Sequence, residues 1–345
     1  MPFLNRYRWR ALLQSGGLLL LLCANAAQAD SPREQWHAQL TQGYDALAQT
    51  SSALHQQVVQ HCTADNADKG PALKALRNDW LTAFLAWQRI RFIDFGPIEQ
   101  NSMAWQFQFW PDSKNLIARQ VDGLLKDTGS LSAQTLATAS VAVKGFPAME
   151  YLLFDENATS AAPRVCDLLV AISGQISANA TAVASQWAAF KPHYLTEASY
   201  DFTTISAAMH ALDILRNARL GAPMGLQGKK RRNPYLADAW RSEQSLTTLK
   251  ASLQGLQSDF LPGFATLMHA AGQDQLLTQF EHALAASLDR LEQLPAGMSE
   301  SLNNDSGYRS LQLLFVDIDR LASLLEGPIA SELGIVKGFN SSDGD

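Results

Sequence analysis

The sequence predicts an all-α fold built as helical bundles. Three observations carry this. Apolar residues recur at helical spacing along nearly the whole chain. No convincing run of alternating β-branched residues marks a strand. No Asn-Gly or Asp-Gly hairpin signal joins such runs.

The elements follow in chain order. Arg6, Arg8 and Arg10 open a basic segment, an apolar run through Leu18–Leu22 follows, and Ala27-Gln28-Ala29 precedes Asp30. This pattern predicts a secretory signal peptide over residues 1–29. Its apolar run is short for a bilayer span. A lipoprotein signal would use Cys23, but Leu22 stands where such signals carry a small residue. No later segment approaches 18 unbroken apolar residues, so no transmembrane span is expected in the mature chain.

Losing residues 1–29 removes three arginines and no acid, which takes the formal charge from −6 to −9. Bulk charge of that sign argues against a nucleic-acid partner. With 47% apolar and 17% charged residues, the 345-residue chain can bury a large core and is not generally disordered. Two of the three cysteines remain, Cys62 and Cys166. In an oxidising compartment an even pair points to one disulfide, and two buried free thiols are the alternative.

Trp36, Leu40, Tyr44, Leu47, Leu54 and Val58 lie on one helical stripe. Leu73, Leu76, Trp80, Phe84 and Trp87 form a second. Further helical stretches are predicted over 114–126, 131–154, 164–190, 196–219, 242–258, 260–271, 275–294 and 307–326. Gly96-Pro97 and Gly221-Ala222-Pro223 end helices. An arginine stands five positions before each glycine (Arg91, Arg216), and a Trp-containing segment follows each break. This pattern suggests a weak internal duplication, although helices commonly end in Gly and Pro. The halves would be 30–194 and 195–339, meeting near Lys191-Pro192, with a disordered tail at 340–345. The basic run Lys229-Lys230-Arg231-Arg232 reads as a solvated loop.

Standard catalytic motifs are absent: no H-E-x-x-H, no G-x-S-x-G, no phosphate-binding glycine loop and no G-x-G-x-x-G. His210 and Asp213 are the one short His–carboxylate pair at i, i+3, a spacing that suits a metal. The competing structural reading pairs Asp213 with Arg216.

The most unusual segment runs from Val143 to Phe154. Gly145 and Pro147 interrupt a helical run, so the helix must kink or restart there. Glu150 follows, and its helical neighbours are Phe146, Leu153 and Phe154. A carboxylate on such a face needs a cation or donors, or its pKa shifts. Glu150 is therefore either a ligand or proton-handling group, or the partner of a core arginine such as Arg91, Arg219 or Arg241. A second candidate region holds Trp87, Arg91, Trp105, Trp110 and Asp112. Dense aromatics with Arg and Asp suit a binding cleft, although Trp80 and Trp87 read as core.

Together these motifs resemble the imelysin-like family. The matching pieces are Cys62, "WQRIRFIDFGP" at 87–97, "FWPD" at 109–112, "GFPAMEYLLF" at 145–154, Cys166, "LRNARLGAPMG" at 215–225 and "AWRSEQSL" at 239–246. The resemblance implies a secreted, all-helical protein of two bundle-like halves, in the periplasm or on the outer membrane and linked to iron uptake. It also implies a nominal metallopeptidase class resting on a G-x-H-x-x-E motif. Here Pro147 stands where that motif has histidine, so only Gly145 and Glu150 carry over, and proline cannot ligate a metal.

The expectation is thus a periplasmic, non-catalytic binding protein connected with iron or haem. Its site would lie between the halves, lined by Glu150, Arg91, Trp110, Asp112, Arg219 and Arg241 and shaped by Gly145 and Pro147. The ligand would be a small anionic or metal-containing molecule, with iron or another divalent metal as the cofactor class. Glu150, and more remotely His210 and Asp213, would supply metal ligands. The competing readings are a metallopeptidase and an adaptor docking on an outer-membrane partner.

Overall fold

The stripe from Trp36 to Val58 is the buried face of α1 (Pro32–Thr63), and each of its six residues is at most 1% exposed. A computed structural model describes residues 31–63, 69–159, 162–227 and 231–335. The signal sequence and the tail expected at 340–345 lie outside the described residues. No strand occurs among the described residues.

α1 lies along α8 (Ala162–Thr196) and α2 (Lys69–Ile90). Cys62, at the end of α1, is disulfide-bonded to Cys166 near the start of α8, with Cα atoms 5.5 Å apart. Further along, His37 shares a 3.1 Å hydrogen bond with the carbonyl of Trp187 and stacks on its indole. Trp80, Phe84 and Trp87 of α2 are buried, so the tryptophans expected in the core are there.

α8 corrects one expectation. The helix does not end at Lys191-Pro192 but continues through Pro192 to Thr196. Proline there removes one backbone donor, yet Trp187 and Tyr194 on either side of it are fully buried, and this packing holds the last turn in place. By length and composition alone the stretch Arg164–Thr196 could cross a membrane, but half of its most apolar window is buried inside the fold.

After α2, the chain runs through a 3-10 turn (Gly96–Ser102), α3 (Met103–Phe107), α4 (Leu116–Lys126) and α5 (Ala133–Thr138) to α6 (Gly145–Phe154) and α7 (Glu156–Thr159). The predicted helix over 131–154 is therefore interrupted. α9 (Ser199–Asp213) passes directly into a π-helical turn, Ile214–Gly221. Residues 222–227 and 231–244 are mostly irregular. They lead to α10 (Ser245–Gly255), a π turn (Leu256–Phe260), α11 (Leu261–Ala270) and α12 (Asp274–Glu292). The chain closes with α13 (Ser299–Asn303) and α14 (Asp305–Leu324), a π turn (Leu325–Ile329) and α15 (Ala330–Glu332).

Helices from both sides of residue 195 share one core. α2 packs along α10, and α1 also meets α11. At the α2–α10 crossing, a Cβ on Gly255 would lie 1.8 Å from the carbonyl oxygen of Arg89, so only glycine permits this approach.

Candidate functional site

α6 positions the site. Its first residue, Gly145, has φ +72°, and a Cβ there would sit 2.2 Å from the Phe107 carbonyl oxygen. Glycine is required both for the left-handed backbone and for the contact with α3. Pro147 falls in the first turn, where the missing N–H costs no intrahelical bond. The helix thus restarts at Gly145 rather than bending at the proline. Gly145 through Leu153 are all buried, so α6 is enclosed on every side.

Glu150 is 4% exposed in this apolar helix. Its Oε1 accepts the backbone N–H and the hydroxyl of Ser242, each at 2.8 Å. Burial pushes its pKa up to about 7. The Ser242 bonds and the charge of Arg241 oppose that rise, and Asp238 adds to it. The expected arginine hydrogen bond is not formed. Arg241 donates instead to Asp155 at 3.3 Å and Asn115 at 3.1 Å, while its guanidinium lies over Trp240 and Tyr151. Arg219 forms a buried ion pair with Asp238 at 2.7 Å. Arg91 lies over Trp110, 5.7 Å from the ring centroid. A small polar network replaces the expected pairing.

Glu150 lines a cavity of about 500 Å³ together with Trp110, Asp112, Pro147 and Arg241, so five of the expected residues meet there. Arg219 reaches it only through Asp238, which is part of the wall, and Arg91 stands behind Trp110 and lines a different space. Both oxygens of Asp112 are committed to the start of α4, accepting the N–H groups of Leu116 at 2.6 Å and Ile117 at 3.0 Å. Trp105 is 48% exposed and stays outside the cavity.

Sequence reasoning missed Asp238, Tyr151, Asp155 and Asp122 as parts of this wall, and Ser242 as the donor to Glu150. Tyr151 donates to Asp122 at 2.7 Å. Ser242 lay inside a quoted motif but was given no role. Asp238 was signalled only indirectly, because an arginine as deeply buried as Arg219 needs an acid.

The His210–Asp213 pair does not act as a unit. His210 bonds Asp94 at 2.8 Å, which raises its pKa, while Asp213 accepts from Arg216 at 2.8 Å and Asn217 at 2.7 Å. Among the described residues, no group of three or more His, Cys, Asp or Glu side chains is placed to hold a metal. With Pro147 in the histidine position, the donor set does not fit a resident catalytic metal. Within the basic run, Arg232 is folded in: it stacks on Tyr308 at 3.6 Å and donates to the Leu302 carbonyl. Lys229 and Lys230 lie outside the described residues.

A family model described as Peptidase_M75, imelysin, matches residues 40–325. A crystal structure of an imelysin-like protein from Psychrobacter arcticum 273-4 superimposes with a TM-score of 0.78 at 21% identity, covering 90% of this chain and 99% of that one. A second, from Parabacteroides distasonis ATCC 8503 and assigned as an iron-regulated protein A precursor, gives a TM-score of 0.65 at 13% identity, covering 87% and 96%. At these identities the two structures establish the shared fold. No curated protein matches the sequence.

Proposed function

Because the chain belongs to the imelysin family, we propose that it is a non-catalytic, periplasmic binding protein that receives an iron complex in the Glu150 cavity. The observation that carries this is the state of Glu150. One oxygen is fixed by Ser242, and among the described residues the other takes no hydrogen bond, on the wall of a cavity large enough for a small ligand.

The charge of the wall supports a cation-bearing guest. Asp112, Asp122, Asp155 and Asp238 accompany Glu150, against the single cation Arg241. Trp110, Tyr235 and Trp240 supply aromatic surface beside them. A bare metal ion needs several protein ligands, and Glu150 offers one carboxylate. The cargo is therefore a complex that brings most of its own donors, with Glu150 completing the shell. Iron enters through the family resemblance and the description of the Parabacteroides neighbour. Export is supported by the signal pattern at 1–29 and by the Cys62–Cys166 disulfide, which suits an oxidising compartment. A metallopeptidase has no ligand set to rest on among the described residues.

Calorimetric titration with haem, ferric citrate, free zinc and free calcium tests the proposal. Haem or ferric citrate should bind at micromolar levels, and Glu150→Gln should weaken that binding by about 10-fold or more, the scale of one charge-assisted contact. Failure of both iron complexes to bind would overturn it.

A further inference from the structure

The two arginines that do not reach Glu150 lie close together. Arg91 follows α2, and Arg219 sits in the π turn after α9. Both line a small, half-open cavity of about 30 Å³, together with Phe92, Leu215, Leu256 and Ser252. A buried N–H-bearing atom of each, Nη1 of Arg91 and Nε of Arg219, has no hydrogen-bond partner.

The charges around them do not balance. Asp238 is the one carboxylate paired here, and it is used: it accepts from Arg219 at 2.7 Å and from Gln108 at 2.8 Å. The Gln108 carbonyl oxygen is in turn taken by Trp87 and Gln88. His210, close enough to feel Arg91, is matched by its own Asp94. Ser252 already accepts from Arg219 at 2.7 Å. Arg216, only three residues before Arg219, faces Asp213, Asp319 and Glu326. Arg91 forms no ion pair of its own: the charge of Arg219 repels it and that of Asp238, already paired with Arg219, attracts it. Two guanidinium groups thus share one carboxylate, Asp238, and an anion between them would balance the second charge.

We propose that Arg91 and Arg219 together bind one small monovalent anion, of chloride size. The space suits a group about as large as one water molecule. Both arginines line the space, and guanidinium groups suit compact anions of this kind. The apolar walls select against dianions and bulky organic acids. This site is separate from the Glu150 cavity and does not depend on the iron reading.

Thermal melts and ³⁵Cl NMR line widths in an anion-poor Tris–Hepes buffer test it. For the wild type, added chloride should raise Tm along a saturable curve and give excess ³⁵Cl broadening that bromide competes away. Arg91→Met should lose both responses, with chloride binding weakened at least 10-fold, and in the anion-poor buffer it gives up only its contact with Trp110. Glu150→Gln should keep both responses. The assignment is overturned if the wild type shows no saturable response, if Arg91→Met responds as wild type does, or if Glu150→Gln abolishes the effect.

Discussion

Ser242 gives both its backbone N–H and its hydroxyl to one oxygen of Glu150, each at 2.8 Å, across 92 residues of sequence. This contact ties α6 to the irregular segment that closes the cavity. It also explains how a carboxylate survives in an apolar helix: two donors partly replace the water it has lost.

The cost that remains is visible in pH dependence. Glu150 has a folded pKa of about 7 against 4.5 ordinarily. The folded state therefore binds the proton more tightly than the unfolded one. Its favourable contribution is full below about pH 4.5 and is lost as pH rises through about 7. The shift corresponds to roughly 3 kcal/mol. Glu150→Gln keeps the Ser242 bonds and removes the titration. Urea unfolding at pH 5 and pH 8 should show the variant gaining on wild type by up to that amount at pH 8 only. An equal difference at both pH values would reject this account.

Ser242→Ala should cost about 1–2 kcal/mol at pH 8, where the lost bond is to a charged acceptor, and less at pH 5, where Glu150 is protonated. The same unfolding experiment measures it. The backbone N–H of residue 242 remains, so the loss should be partial.

Gly145→Ala should destabilise by more than about 2 kcal/mol, because it combines a left-handed backbone with a Cβ driven into the Phe107 carbonyl. A melting temperature within 1–2 °C of wild type, well under the several degrees such a loss implies, would show that α3 can move aside.

Arg219→Met should cost about 3–5 kcal/mol, since it leaves Asp238 buried with Gln108 as its remaining donor. Adding Asp238→Asn should recover a large part of that loss. A double-mutant cycle read by chemical denaturation checks the coupling.

The Cys62–Cys166 bond closes a loop spanning 104 positions. Replacing both cysteines by serine should lower stability by about 4–5 kcal/mol in the chain-entropy picture. Comparing the melting temperature of the double variant with that of the oxidised protein measures the loss.

Much of the fold was legible because helical burial is a local, periodic signal. The stripe of α1 is buried residue for residue and that of α2 in all but the half-buried Leu73, and Gly145 with Pro147 marked a helix start. Glu150 stood out because an acid among Phe146, Leu153 and Phe154 violates the pattern around it. The sequence misjudged Lys191-Pro192, where packing against α1 outweighs one missing backbone donor. It also set Glu150 against an arginine and His210 beside Asp213.

Those choices belong to the tertiary structure. Which of Ser242, Arg241 or Arg219 reaches Glu150 depends on how residues 231–244 fold back over α6, and no periodicity encodes that. By itself the sequence determined the helices, the odd carboxylate and the cysteine pair, because each follows from spacing or composition along the chain. Only the folded chain decided that Ser242 holds Glu150, that Asp238 takes Arg219 and that Arg91 is left with Trp110. Hydrogen bonds are short and directional, so their partners are fixed by three-dimensional proximity of about 3 Å rather than by distance in sequence.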